Sequence, residues 1–324
     1  MDHEMLLTAY GLGIIDEEEL IICTASSAEE RNLPRTTVDL DNMTLKQCRE
    51  NFRFEMDDLE RLCTVLRIPD TVTLGNGIKC SGMEILRMAL SRMFNYGIHY
   101  IHDQFAHLLD TLDHPWLDKN KLRECAQVIQ EKGAPYDKCT GFIDGTVCAV
   151  ARPSRLQRHL YNGHKRKHGL KYQAVGLPNG LIVHLAGPIV GKRHDWRMYQ
   201  ESNLIDQLKR KREDADWKFY IYGDHGYTST RELIAPFRSV TNQAEADLNY
   251  VMSKLRVSVE WMFGKCCVLW AFLDFPRNQK VLLQPVGLYF RVAVLLTNAH
   301  TCLYESQTGQ YFGLSAPTLE EYFY

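Results

Sequence analysis

The stretch from Gly141 to Tyr222 restricts the fold more than any other part of the chain. It holds short apolar runs rich in β-branched and aromatic residues: Phe142 to Ala151, Tyr172 to Leu177, Leu181 to Pro188 and Trp217 to Tyr222. Runs of this length bounded by turn residues read as strands. Pro178-Asn179-Gly180 lies between the second and third, and Asn-Gly between apolar runs marks a tight hairpin because its turn needs positive φ. A helix is predicted from about Trp196 to Arg212. Antiparallel strands, a helix, another strand and then helices give an α/β fold, a mixed sheet flanked by helices.

Upstream the pattern is helical. Phe54, Leu59, Leu62, Val65 and Leu66 recur at helical spacing and stop at Pro69, and Met83, Leu86, Leu90 and Met93 form a second stripe. A third helix is predicted from His99 to Leu112. Two helices joined near Gly97 fit a helix-turn-helix as well as any helical bundle. The expected organisation is an acidic N-terminal arm (1–42), a helical region (43–132), a sheet domain (133–305) and a C-terminal tail (306–324).

The ten cysteines form no CxxC pair, which fits a reducing intracellular compartment better than a disulfide frame. Neither a secretory signal nor a membrane span is expected, since the apolar stretch Val281 to Leu303 contains Gln284, Pro285 and Arg291. The formal net charge of -2 hides an uneven distribution. Residues 1–30 carry eight acids and no Lys or Arg, whereas residues 152–171 carry Arg152, Arg155, Arg158, Lys165, Arg166, Lys167 and Lys171 without an acid. A polyanion would meet that local sign, although a solvated loop gives the same composition. Lys209 to Arg212 read as cations at a helix C-terminus. Paired Cys266 and Cys267 are expected to be buried.

Three acids stand in suggestive settings. Asp144 interrupts the apolar strand Phe142-Ile143-Asp144-Gly145-Thr146, where an ionised carboxylate is costly unless it is paired or bound to metal; a strand-end acid in a turn is the plain alternative. Asp224 follows a strand in Gly223-Asp224-His225-Gly226-Tyr227, a context equally suited to a simple turn. Glu260 shares a polar helical face with Arg256 and Asn249, where Arg256 and Glu260 could be an ordinary exposed i, i+4 pair. No Ser-His-Asp arrangement, nucleophilic cysteine, phosphate-binding loop or dinucleotide fingerprint competes with them.

Taken together the motifs become specific. Phe142 to Thr146, Gly191 to Asp195, Gly223 to Tyr227 and Arg256-x-x-Val259-Glu260-x-x-Phe263-Gly264 occur in this order, with thirty-five residues between Asp224 and Glu260. They resemble the ordered motifs of DDE transposases of the PIF/Harbinger kind over residues 138–303, and Val294 to His300 is similar to that family's closing helix. The resemblance implies an RNase H-like fold in which Asp144, Asp224 and Glu260 converge as catalytic metal ligands. Asp195 would stand behind them with Arg256 and Asn249, unless it caps the helix starting at Trp196. Hard oxygen ligands suit Mg²⁺ or Mn²⁺, and two ions could serve both the attacking and the leaving oxygen. The implied activity is endonucleolytic cleavage and strand transfer on DNA, with the basic run near the metals. A nuclear location, a separate Myb-like DNA-binding partner and a homo-oligomer belong to the same picture. A domesticated, non-catalytic DNA-binding or interaction protein on this fold, and an RNase H-like hydrolase of RNA in hybrids, remain alternatives.

Overall fold

The computed structural model describes residues 3–26, 43–74, 77–92, 95–281 and 283–324. Helices α1 (His3–Gly11) and α2 (Glu17–Ser26) lead, followed by α3 (Leu45–Phe52) and α4 (Met56–Val65). A hairpin of β1 (Thr71–Thr73) and β2 (Lys79–Ser81) precedes α5 (Gly82–Arg92), α6 (Asn95–Phe105), α7 (His107–Asp110) and α8 (Lys119–Glu131). Leu59, Leu62, Val65 and Leu66 are buried, as the first stripe requires, and so are Leu86 and Leu90 of the second. Met93 lies outside the described residues. Gly97 falls inside α6, not between helices, and the residues joining α5 to α6 also lie outside the described ones.

The sheet follows, with β3 (Cys139–Ala149), the short α9 (Gln157–Leu160), β4 (Tyr161–Asn162), β5 (Lys167–Gly176) and β6 (Ile182–Val190). Next come α10 (Asp195–Glu201), α11 (Leu204–Asp214), β7 (Tyr220–Tyr222) and β8 (Leu233–Ile234), then α12 (Gln243–Leu269), α13 (Val286–Tyr304), α14 (Gln307–Phe312) and α15 (Leu319–Phe323). β5 pairs antiparallel with β3, β4 and β6, β7 runs parallel to β3, and β8 runs parallel to β7. This is the RNase H-like mixed sheet expected from the sequence. The hairpin turn is closed by Leu177 N–H donating to Leu181 O at 3.0 Å, with Gly180 at φ 85.

The predicted helix over Trp196 to Arg212 is two helices, because Asn203 adopts a left-handed φ of 56 between α10 and α11. Helices cover the sheet on both sides, so β5 is buried along most of its length. α12 lies against β5 where there is no side chain to hold it off: a Cβ on Gly176 would meet Met262 Sδ at 2.5 Å and Val259 Cγ2 at 3.3 Å.

α13 is long and apolar enough to cross a membrane by composition, but 83% of its apolar window is buried within the protein, and it serves as the central core helix. One continuous apolar core runs from Ile21 to Phe323. The acidic N-terminal segment is therefore no free arm in its described part, since Leu20, Ile21 and Ala25 of α2 are buried. Glu29, Glu30 and Asp2 of that segment lie outside the described residues. The tail beyond residue 305 folds back likewise, burying Phe312, Leu319, Tyr322 and Phe323. Its apolar residues are too few for a helical stripe to show in the sequence. Of the adjacent cysteines Cys266 is buried and Cys267 exposed, which corrects the expectation for the pair: neighbours on a helix point about 100° apart.

Candidate active site

Sheet register brings the two aspartates together. β3 and β7 are parallel neighbours with Phe142 opposite Tyr222, so positions two residues on, Asp144 and Asp224, lie side by side on the same face. Asp144 is 17% exposed in its side chain; its Oδ1 accepts from Gly145 N–H at 2.9 Å and its Oδ2 from Arg256 Nη1 at 2.7 Å. Asp224 turns the chain after β7, its Oδ1 accepting from Gly226 N–H at 2.9 Å. That bond realises the turn reading and orients the carboxylate at the same time.

Glu260 arrives from α12. One guanidinium spans the gap, with Arg256 Nη2 at 3.1 Å from Glu260 Oε1 while Nη1 holds Asp144. The i, i+4 pair predicted as a surface contact is thus also a bridge to the sheet. Glu260 itself stays 52% exposed.

Asp195 lies at the first position of α10, next to the N-cap His194, and caps nothing. The capping alternative gives way because its side chain is held elsewhere: Lys171 Nζ stands 2.9 Å from its Oδ1. The same carboxylate fills the space over two glycines. A Cβ at Gly145 would collide with Asp195 Oδ1, and one at Gly226 would come within 2.9 Å of Asp224 Oδ1 and 3.7 Å of Asp195 Oδ2. Asp195 and Asp224 therefore meet over the Gly145–Gly226 recess, while Asp144, the strand neighbour of Gly145, points from the other face of β3 toward Arg256.

Electrostatics agree with this convergence. Burial pushes the Asp144 carboxyl up to about 6, and the charges of Asp224 and Glu260 add to the rise against the pull of Arg256 and the Gly145 N–H. Tyr227, buried beneath, has its hydroxyl raised by burial and then by Asp195, Asp144 and Asp224 together. Arg256 keeps its charge despite burial because Asp144, Glu260 and Asp224 all favour it.

Two expected site residues do other work. Asn249 clamps a loop, accepting from Phe237 N–H at 2.9 Å and donating to Phe237 O at 3.0 Å, two helical turns before Arg256. Lys171 is buried, and its ammonium bonds to Arg193 O at 2.9 Å as well as pairing with Asp195. A phosphate could not reach it, which corrects its assignment to the DNA surface: β5 turns it inward. Arg152, Arg155, Arg158, Lys165 and Arg166 are exposed on the excursion between β3 and β5, and Lys167 is exposed at the first position of β5.

Gln173 was not singled out by sequence reasoning. It is fully buried and donates to Tyr227 Oη at 2.8 Å and to Asp195 O at 3.0 Å, tying β5 to the floor of the recess. A lone glutamine within Tyr172 to Leu177 was the available signal. Of Lys209 to Arg212, Lys211 and Arg212 lie in the last turn of α11, and Arg212 also pairs with Glu232 at 3.2 Å.

Among the described residues no three His, Cys, Asp or Glu side chains form a finished metal cage. The donor chemistry nevertheless fits a hard divalent cation, since Asp144 and Glu260 are drawn to one guanidinium and the Asp224 charge acts on Asp144 beside them. Neither the curated proteins nor the solved structures offer a match to this chain. The family model described as DDE superfamily endonuclease matches residues 143–298, a span that begins one residue before Asp144 and includes Asp195, Asp224 and Glu260. Residues 143–298, just under half of the chain, therefore resemble the DDE endonuclease superfamily.

Proposed function

We propose that this protein is a divalent-metal-dependent endonuclease and transposase acting on DNA, with Asp144, Asp224 and Glu260 as its catalytic carboxylates. The observation that carries the reading is the β3–β7 register, which sets Asp144 beside Asp224 while Arg256 links Asp144 to Glu260. Asp144 and Asp224 would hold Mg²⁺ or Mn²⁺ with Glu260. A bound ion pair would supply charge for the attacking and leaving oxygens of a phosphodiester.

The chain's own residues do the rest. Arg256 keeps the two faces of the cluster at a fixed spacing and offsets carboxylate repulsion. Asp195, anchored by Lys171, orients the recess from the α10 side. The exposed cations between β3 and β5 would meet backbone phosphates and position the duplex without reading its sequence. A nuclear location and a Myb-like partner follow from the family resemblance within this reading.

The deciding experiment is Glu260→Gln. It is expected to abolish Mg²⁺-dependent cleavage of duplex DNA with the melting temperature and most of the DNA affinity unchanged, because Glu260 is half-exposed and, among the described residues, bonded to Arg256. Equal cleavage by both proteins sinks the triad. DNA binding without cleavage by the wild type would instead favour the non-catalytic reading.

Gly145→Ala tests the recess. The new methyl displaces the Asp195 carboxylate from Lys171, so cleavage is expected to fall about 10–100-fold, the usual cost of disturbing a residue behind metal ligands. Circular dichroism should stay unchanged. Wild-type rates in Gly145→Ala would show that the position of Asp195 is immaterial.

A further inference from the structure

The first turn of α2 carries Glu17, Glu18 and Glu19. Acids are ordinary there because a helix N-terminus favours negative charge, and Asp16 and Glu19 do serve that purpose. Asp16 Oδ1 accepts from Glu18 N–H at 2.7 Å and Glu19 N–H at 2.8 Å, while Glu19 Oε2 accepts from Asp16 N–H at 2.9 Å. The side chains of Glu17 and Glu18 take no part in this cap. Their carboxylates reach across to cations on other elements.

Glu17 Oε2 is 3.0 Å from Arg158 Nη2 and 2.5 Å from His159 Nε2. Glu18 Oε1 is 2.6 Å from Lys192 Nζ, and its Oε2 is 2.7 Å from Arg193 Nη2. Burial works against the Glu18 charge, yet Lys192 and Arg193 hold its carboxyl at about 2. Arg158 belongs to the basic excursion, and Arg193 lies two residues before Asp195, with its carbonyl accepting from Lys171. The pairs therefore sit between the basic surface and the rim of the carboxylate recess. α2 is kept there by Leu20, Ile21, Thr24 and Ala25, which are buried along the same side of the helix as Glu17.

We propose that α2 is a built-in competitor for DNA: the Glu17 and Glu18 carboxylates occupy the places of two backbone phosphates at Arg158, Lys192 and Arg193. The proposal rests on the reading of this surface as a DNA-binding one. A duplex crossing from the basic excursion to the recess must exchange with these carboxylates. Contacts made without that exchange are correspondingly weak, which holds down binding to arbitrary DNA.

The test measures affinity of the full chain for a duplex oligonucleotide by fluorescence anisotropy over a salt series. Glu17→Gln/Glu18→Gln is expected to bind about tenfold tighter near 0.1 M salt, with a log–log salt slope steeper by about 2, since each added phosphate contact contributes roughly 0.9. Asp57→Asn/Glu60→Gln changes net charge equally on exposed positions of α4 and is expected to leave affinity within twofold. Glu17→Gln alone should give part of the gain and, because the amide oxygen can still accept from Arg158 and His159, serves as the second variant should the double one be unstable.

Equal affinity of wild type and Glu17→Gln/Glu18→Gln overturns the proposal, as does an equal gain in the α4 control. Lys165→Ala/Arg166→Ala/Lys167→Ala separates the two levels. If this triple variant weakens binding while the glutamate variants do nothing, only the competition fails. If no protein in the series binds duplex, the DNA-binding reading fails and the competitor with it.

Discussion

Asp144→Asn is expected to remove metal-dependent cleavage by three orders of magnitude or more, about 4 kcal/mol of transition-state stabilisation, and to change how metal-free stability responds to pH. The carboxyl is pushed up to about 6 from an ordinary value of 3.8. Between these values the folded protein holds a proton that the unfolded chain has released, so stability falls as pH rises through that window and levels off above it. The span of roughly 2 units corresponds to about 3 kcal/mol. Asparagine does not titrate. In chelator, the unfolding free energy of Asp144→Asn relative to wild type should therefore rise by about 2–3 kcal/mol from pH 4 to pH 7. Any constant penalty from weakening the Arg256 bond shifts the whole difference without changing its slope. Parallel curves from urea titrations at pH 4, 5, 6 and 7 would show that Asp144 is not the strained carboxylate described above.

Arg291→Met carries the largest expected cost in stability. Arg291 lies on the core helix α13 with its side chain 8% exposed, and its fork joins three elements. Nη1 donates to Leu185 O at 3.1 Å and Gly187 O at 3.0 Å on β6, while Nη2 donates to Asp110 Oδ1 at 2.6 Å at the end of α7. Methionine fills much of the volume but leaves the β6 carbonyls without these donors. Unpartnered buried acceptors, with a smaller share from the lost pair to the half-exposed Asp110, together suggest about 3 kcal/mol. Arg291→Lys should recover only part, because an ammonium cannot reproduce a planar fork. A loss below about 1 kcal/mol in Arg291→Met would mean that solvent reaches these carbonyls.

The sheet and the candidate carboxylates were legible in the sequence for a definite reason. Asp144 and Asp224 each sit at a fixed offset from a short apolar strand, and the hairpin after Leu177 fixes how those strands are ordered. Strand periodicity carries that information locally. What was not legible depends on contacts distant in sequence. Ser202-Asn203 is a weak break signal, since asparagine tolerates the left-handed φ of 56 but lacks the force of a glycine or proline as a helix stop. The two-residue β8 is too short to have a period, and it is defined by pairing with Ile221 and Tyr222. Lys171 reads as one more cation in a basic run, and only the placement of Asp195 shows why it turns inward. α2 reads as acidic and exposed because its cationic partners lie 141 to 175 residues away.

The bare backbone of Gly176 beneath α12 has a consequence for how the two halves of the cluster could drift apart. Asp144 and Asp224 are fixed by strands, whereas Arg256 and Glu260 ride on a helix whose height above the sheet is set at this position by an absence. Any side chain at 176 acts as a wedge under Met262 and Val259. It would lift the helix-borne members and leave the strand-borne ones in place. Position 176 is in effect the depth gauge of the site, though it touches none of the carboxylates.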